Sequence, residues 1–196
     1  TSVTLSNGLT SIGDSAFYNC SRLTSVDIPN SVTSIGSSAF YYCSGLTQVS
    51  LSNGLKTIGN SAFTSCYTLT RIEIPGSVTN FGESVFTYCS QLSDVVIKNG
   101  VTTIPNNSFS NCTNLTNVSL PESVSSIGNS AFSNCTYLES IDIPDNVVSL
   151  GNNVFDSCST LSSISIGAGL ESIGTNAFVN CGNLTNLTIN NENSTF

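Results

Sequence analysis

The chain has 196 residues, 4 basic, 12 acidic and no histidine, giving a formal net charge of −8. Its four cations (Arg22, Lys56, Arg71, Lys98) cannot make a phosphate-neutralising track, which excludes nucleic acid as a partner. Only 8% of residues are charged, yet no apolar run reaches the ~20 residues of a membrane-spanning helix.

Along the chain one set of elements keeps returning. Phenylalanine stands at Phe17, Phe40, Phe63, Phe86, Phe109, Phe132, Phe155 and Phe178. Cysteine follows three residues later, at Cys20, Cys43, Cys66, Cys89, Cys112, Cys135, Cys158 and Cys181. A leucine comes three residues after each cysteine, from Leu23 to Leu184. The period is 23 residues, with no insertion or deletion. Such regularity identifies a solenoid of about 8.5 coils, each burying its apolar face only by stacking on its neighbours.

Written from its leucine, the unit is L-x-x-[VI]-x-[IL]-P-x-S-V-x-x-I-G-x-x-A-F-x-x-C-x-x, and residues 23–45 match every fixed position. The alternation Val26-Asp27-Ile28 predicts a short strand with its apolar side chains inward. Pro29, or a pair such as Asn7-Gly8, then turns the chain. Val32 and Ile35 form a second inward pair, expected as a further short strand. Gly36 follows, and Ser37-Ser38-Ala39-Phe40 suits one capped helical or 3₁₀ turn before the cysteine. Residues one period apart lie above one another, so the array extends on the order of 40 Å. Asn-Gly pairs at 7–8, 53–54 and 99–100 alternate with Pro29, Pro75 and Pro121, a rhythm that Pro144 breaks.

This frame resembles the BspA-like, or Treponema pallidum-type, leucine-rich repeats, over essentially the whole chain. The carrying features are the constant 23-residue period, F-x-x-C-x-x-L-x-x-[VI]-x-[IL]-P and S-[VI]-x-x-I-G. In the commoner leucine-rich pattern Asn or Cys occupies the turn after the strand; here the cysteine precedes the strand. The resemblance implies a right-handed leucine-rich repeat superhelix of short parallel strands stacked in ladders, joined by short helical or 3₁₀ turns. Residues 1–196 are expected to form a single repeat domain, a segment of a longer array with no terminal caps; the tail Asn190–Phe196 departs from the frame. The resemblance further implies adhesion to host cells, matrix proteins or other microbes, and a cell-surface or extracellular location.

The cysteines invite four readings. Metal binding needs converging ligands, usually in close pairs and often with histidine, and neither occurs. A nucleophile needs a base or a positive neighbourhood to form thiolate, and none is near in sequence. Disulfides between stacked coils are an alternative, since positions ~5 Å apart lie within bridging range. The favoured reading is a ladder of buried free thiols packed as small hydrophobes beside the phenylalanine ladder. No cofactor is implied.

The outward positions of the first strand carry Asp27, Arg71, Glu73, Asp94, Glu139 and Asp142, with Lys98 nearby. These six are the candidate partner-binding face, for a protein or glycoprotein ligand. Carboxylate pairs can serve as acid and base, but a stacked ladder offers an open surface rather than a cleft, so the expectation is a non-enzymatic protein. Two rivals differ in class: end-to-end self-association of open coils into filaments, and ice binding by the outward row Thr24, Thr47, Thr70, Ser93, Thr116, Ser162 and Thr185, which Glu139 interrupts. Six tyrosines (Tyr18, Tyr41, Tyr42, Tyr67, Tyr88, Tyr137) flank the cysteine turn, as an aromatic edge or as scattered surface residues. Nine N-x-[ST] sequons start at Asn19, Asn106, Asn111, Asn114, Asn117, Asn134, Asn183, Asn186 and Asn193; those beside cysteines are expected to bond the local backbone instead of carrying glycans.

Overall fold

The computed structural model describes residues 2–190. The chain winds into coils, numbered here from the repeat leucines: coil 1 ends at 22, and coils 2 to 9 begin at 23, 46, 69, 92, 115, 138, 161 and 184. Each coil passes through a front strand, a back strand and a turn edge. Front strands run from Ser2–Val3 and Ser25–Asp27 to Asn186–Ile189, and back strands from Ser11–Ile12 to Ser172–Ile173. All pairing is parallel and shifted by one period, as in Val26 beside Val49 and Ile12 beside Ile35. The alternating apolar residues point inward as their spacing demands, and one continuous core runs through the stack. No helix among the described residues is long and apolar enough to cross a membrane.

The turn edge departs from the sequence reading. No helix or 3₁₀ turn forms there; the segment is a ribbon of turns. Alternate residues bond within the coil and between coils. The amides of Ala39, Tyr41 and Cys43 donate to carbonyls three residues back, while those of Ser38, Phe40 and Tyr42 donate to Asn60, Ala62 and Thr64 of the next coil. This alternation requires two residues per coil with positive φ, such as Ser38 at 54° and Tyr42 at 59°. Asparagine tolerates that region better than most residues, and it occupies it at Asn107, Asn111 and Asn134. Hydrogen bonding to the next coil thus outweighs a helical turn, which would point its N–H groups along itself.

Three rungs of this kind cross every junction from coil 1 to coil 8, making the turn edge a third ladder. Its N–H groups all face the following coil, whereas flanking rungs such as Thr47 to Thr24 and Gly36 to Ile12 face the preceding one. Behind it the phenylalanines stack with centroids 5.0–5.7 Å apart and rings within 10° of parallel.

The two strand ladders are less regular. The back ladder divides between Asn80–Phe81 and Thr103–Ile104. From coil 2 onward each glycine after a back strand donates to the coil before, as Gly82 does to Ile58 at 2.8 Å, and a Cβ on Gly36 would meet the Asp14 nitrogen at 2.5 Å. Pro105 takes that place in coil 5. It has no N–H, and its ring needs the room glycine leaves, so the rung to Phe81 is lost. The front ladder divides between coils 3 and 4 and between coils 6 and 7.

Candidate ligand-binding face

Adjacent coils bring part of the candidate set together. In-register pairing sets Arg71 beside Asp94 and Glu73 beside Val96. Arg71 and Asp94 form an ion pair, and Lys98 Nζ lies 3.4 Å from Glu73 Oε1. Lys98, just past the strand Asp94–Ile97, completes a four-charge cluster. Exposed pairs of this kind contribute little to stability and weaken with salt, which leaves the charges available to a partner. Asp142 lines a shallow groove together with Asp94, whereas Asp27 and Glu139 stand apart. Asp27 pairs in register with Ser50, one coil short of Glu73. Glu139 and Asp142 are exposed on coil 7, three coils beyond Glu73.

Most hydroxyls of the front row are already engaged. Thr47, Ser93, Thr116 and Ser162 donate to carbonyls of the preceding coil at 3.0–3.1 Å. They stitch coils together and do not form the free donor array that ice binding would use.

The cysteine row is the second candidate site. Cys43 to Cys158 are buried, Cys181 is half-buried and Cys20 is exposed, all as free thiols. Cys20 therefore departs from the expected core ladder, because no coil precedes it among the described residues; Phe17 and Phe178 are likewise only partly buried. What the sequence did not show is that seven of the eight thiols, all but Cys20, are hydrogen-bond donors. The Sγ of Cys43, Cys66, Cys89, Cys112, Cys135, Cys158 and Cys181 lies 3.0–3.3 Å from the carbonyl of the phenylalanine 26 residues earlier. Burial pushes the thiols up, Cys43 to about 11 and Cys89 and Cys158 to about 12. Desolvation disfavours the thiolate, so the buried thiols from Cys43 to Cys158 lack the ionised form that nucleophilic chemistry needs.

The tyrosines of coils 1–3 do meet. Tyr18 and Tyr41 stack at 5.2 Å, and Tyr42 meets Tyr67 edge-on at 5.6 Å. Tyr42 and Tyr88 are exposed at positive φ, a region bulky residues seldom occupy. Tyr137 lies elsewhere on the turn, exposed. Among the sequons, Asn134 donates to Asn111 at 2.8 Å and Asn114 to Gln91 at 3.1 Å; Asn19, Asn117 and Asn183 are exposed. Asn193 and Phe196 lie outside the described residues.

The BspA-type leucine-rich repeat region, in 6 copies, matches residues 1–93 and 82–196. The chain belongs to the BspA-type leucine-rich repeat family. It is similar to a leucine-rich repeat protein from Eubacterium ventriosum, with 28% identity and a TM-score of 0.76, over 80% of this chain and 42% of that one. It is also similar to the leucine-rich repeat protein TpLRR of T. pallidum, with 30% identity and a TM-score of 0.62, over 90% of this chain and 72% of that one. A Bacteroides ovatus leucine-rich repeat protein shares 27% identity and a TM-score of 0.57, over 93% and 71%. A comparison with curated proteins gives no match. This BspA-type chain thus spans less than half of its Eubacterium ventriosum relative.

Proposed function

We propose that this BspA-type solenoid is a non-enzymatic, extracellular adhesion module that binds a host or matrix protein or glycoprotein through its front face. The cluster Arg71, Glu73, Asp94 and Lys98 carries the reading. In a chain with so few charges, half of the four cations gather with two carboxylates on one outward face. The inward rows are committed to packing, so these outward positions are free to serve recognition. Family membership supports the adhesive assignment. The test is binding to immobilised matrix proteins and cultured host cells, comparing the chain with the double variant Arg71→Glu/Lys98→Glu. A loss of at least about tenfold in affinity, with thermal stability unchanged, is expected. Equal binding by the variant, or none by the parent chain, overturns the proposal.

A further inference from the structure

On the back sheet the register that builds the core also leaves a polar trough along the stack, and three rows define it. The outward residue of most back strands is a hydroxyl, in register from Ser34 to Thr57 and from Thr103 through Ser126 to Ser149. The residue after the strand is glycine at Gly36, Gly59, Gly82, Gly128 and Gly151, where a Cβ would lie 2.5–2.7 Å from a backbone nitrogen of the coil before. The third row holds Asn60, Asn106, Asn129 and Asn152. Their side-chain oxygens each accept the amide one period further on, at 2.7–2.9 Å.

A backbone N–H demands an oxygen, so each of these side chains is held with its Nδ2 donors left over. Asn106 donates to Glu83 at 3.0 Å, whereas Nδ2 of Asn60, Asn129 and Asn152 donates to nothing among the described residues. The hydroxyls of Ser34, Thr103, Ser126 and Ser149 likewise have no partner among the described residues. Between the hydroxyl and amide rows the glycines leave two shallow grooves. One of about 380 Å³ includes Thr57, Asn60, Asn80 and Phe81 in its lining, one of about 350 Å³ includes Ser126, Asn129 and Ser149, and Thr103 lines both. Together they run from coil 2 to coil 7, roughly 24 Å along the stack.

We propose that this trough binds a linear, uncharged polysaccharide laid along the stack, a second ligand on a face separate from the charge cluster. Sugar hydroxyls both donate and accept hydrogen bonds. The two rows offer amide donors already held in place and hydroxyls that rotate into either role. Of the lining residues only Glu83 is charged, and a carboxylate repels an acidic polymer, so the complementarity is to a neutral one. Within coils 1–4 and within coils 5–8 the back strands pair with one another. The trough therefore presents side chains, and a polypeptide strand finds no ladder edge to join. Phe81 stands where other coils have Ile or Leu and is only partly buried, giving the lining one aromatic ring for the C–H face of a sugar. Because the same groups recur along the trough, one polymer can engage several weak subsites at once.

The test is isothermal titration calorimetry on the intact chain with cello-, xylo-, manno- and chitohexaose, and with oligogalacturonate of equal length as the acidic control. At least one neutral hexasaccharide is expected to bind, and its disaccharide at least about tenfold more weakly, since it spans fewer coils. Asn60→Asp/Asn129→Asp keeps an acceptor for the next coil, as Asp14 already holds the Ser37 amide at 2.7 Å, but removes the Nδ2 donors. Affinity should fall at least about tenfold with the melting temperature unchanged. Ser126→Ile, a residue strands favour, fills the second groove and should give the same loss. Binding of no neutral hexasaccharide, tighter binding of the galacturonate, or affinity that survives both variants overturns the trough. Loss of sugar binding in Arg71→Glu/Lys98→Glu also overturns it, by moving the sugar to the front face. Thermal hysteresis without sugar binding would assign the array to ordered water and defeat the proposal equally.

Discussion

The turn edge and the front sheet share one period, yet the first crosses every junction from coil 1 to coil 8 and the second parts twice. The difference lies in what repeats. At the turn edge every coil presents the same phenylalanine and cysteine, so rings, thiols and amides meet identical partners. On the front sheet the inward pair changes among Val/Leu, Val/Ile, Ile/Ile and, in coil 9, Leu/Ile, and the ladder parts where Ile/Ile follows Val/Leu. A repeat fixes spacing, but rungs also depend on how the inward side chains branch. The turn edge is therefore the spine of the stack, and the front sheet is where the ladder is interrupted.

The sharpest way to break this contrast is to ionise the spine. Buried thiols whose pKa rises to about 11 or 12 in the fold ionise far more readily once unfolded, near 8.5. The folded state then binds more protons above that pH, so stability is complete below about 8.5 and is lost as pH climbs toward 12. The loss is about 1.4 kcal/mol per thiol per pH unit. Chemical denaturation at pH 8 and pH 11 should show collapse at the higher value; a flat profile would contradict the thiol ladder.

Next in size is Phe109→Ala. Phe109 is fully buried and stacked on Phe86 and Phe132, so about 3–5 kcal/mol should be lost. Urea titration measures it, and a cost near 1 kcal/mol would deny the spine its role. Cys112→Ala removes both sulfur packing and the donor to the Phe86 carbonyl, an expected loss of about 1–3 kcal/mol. Cys112→Ser keeps a donor and should recover part of that; identical losses would mean that the thiol only fills space. Smallest is the change that removes the contrast. Val49→Ile/Leu51→Ile should raise stability by about 0.5–1 kcal/mol through regained rungs, read as a higher melting temperature, and a drop would show that side-chain branching does not part the front ladder between coils 3 and 4.

Much of this was legible in the sequence. In coils flanked on both sides the inward rows of the repeat are buried, because a stacked coil leaves them no alternative, whereas Cys20 in the first coil is exposed. The turn edge was misread because Ser-Ser-Ala-Phe resembles a capped helical start, while the real signal was the asparagine at Asn107, Asn111 and Asn134, one of the few side chains at ease at positive φ. Pro105, a proline in a glycine row, announced the gap in the back ladder. The front ladder parts where a Val/Leu coil (Val49 and Leu51, Val118 and Leu120) is followed by an Ile/Ile coil, a coincidence of two neighbours that one coil read alone cannot show. Arg71 and Asp94 stand one period apart and so were legible as neighbours, whereas the ion pairs they and Lys98 with Glu73 make are side-chain contacts that only the structure shows.

The direction of the turn-edge amides has an electrostatic consequence. In an α-helix aligned peptide dipoles accumulate and leave partial charges at both ends. Here the turn-edge N–H groups point along the stack while the flanking rungs point back, and the thiols point back as well. The dipoles partly oppose one another within each coil, so adding coils builds less axial field than lengthening a helix does, and the ends of such an array gain less charge.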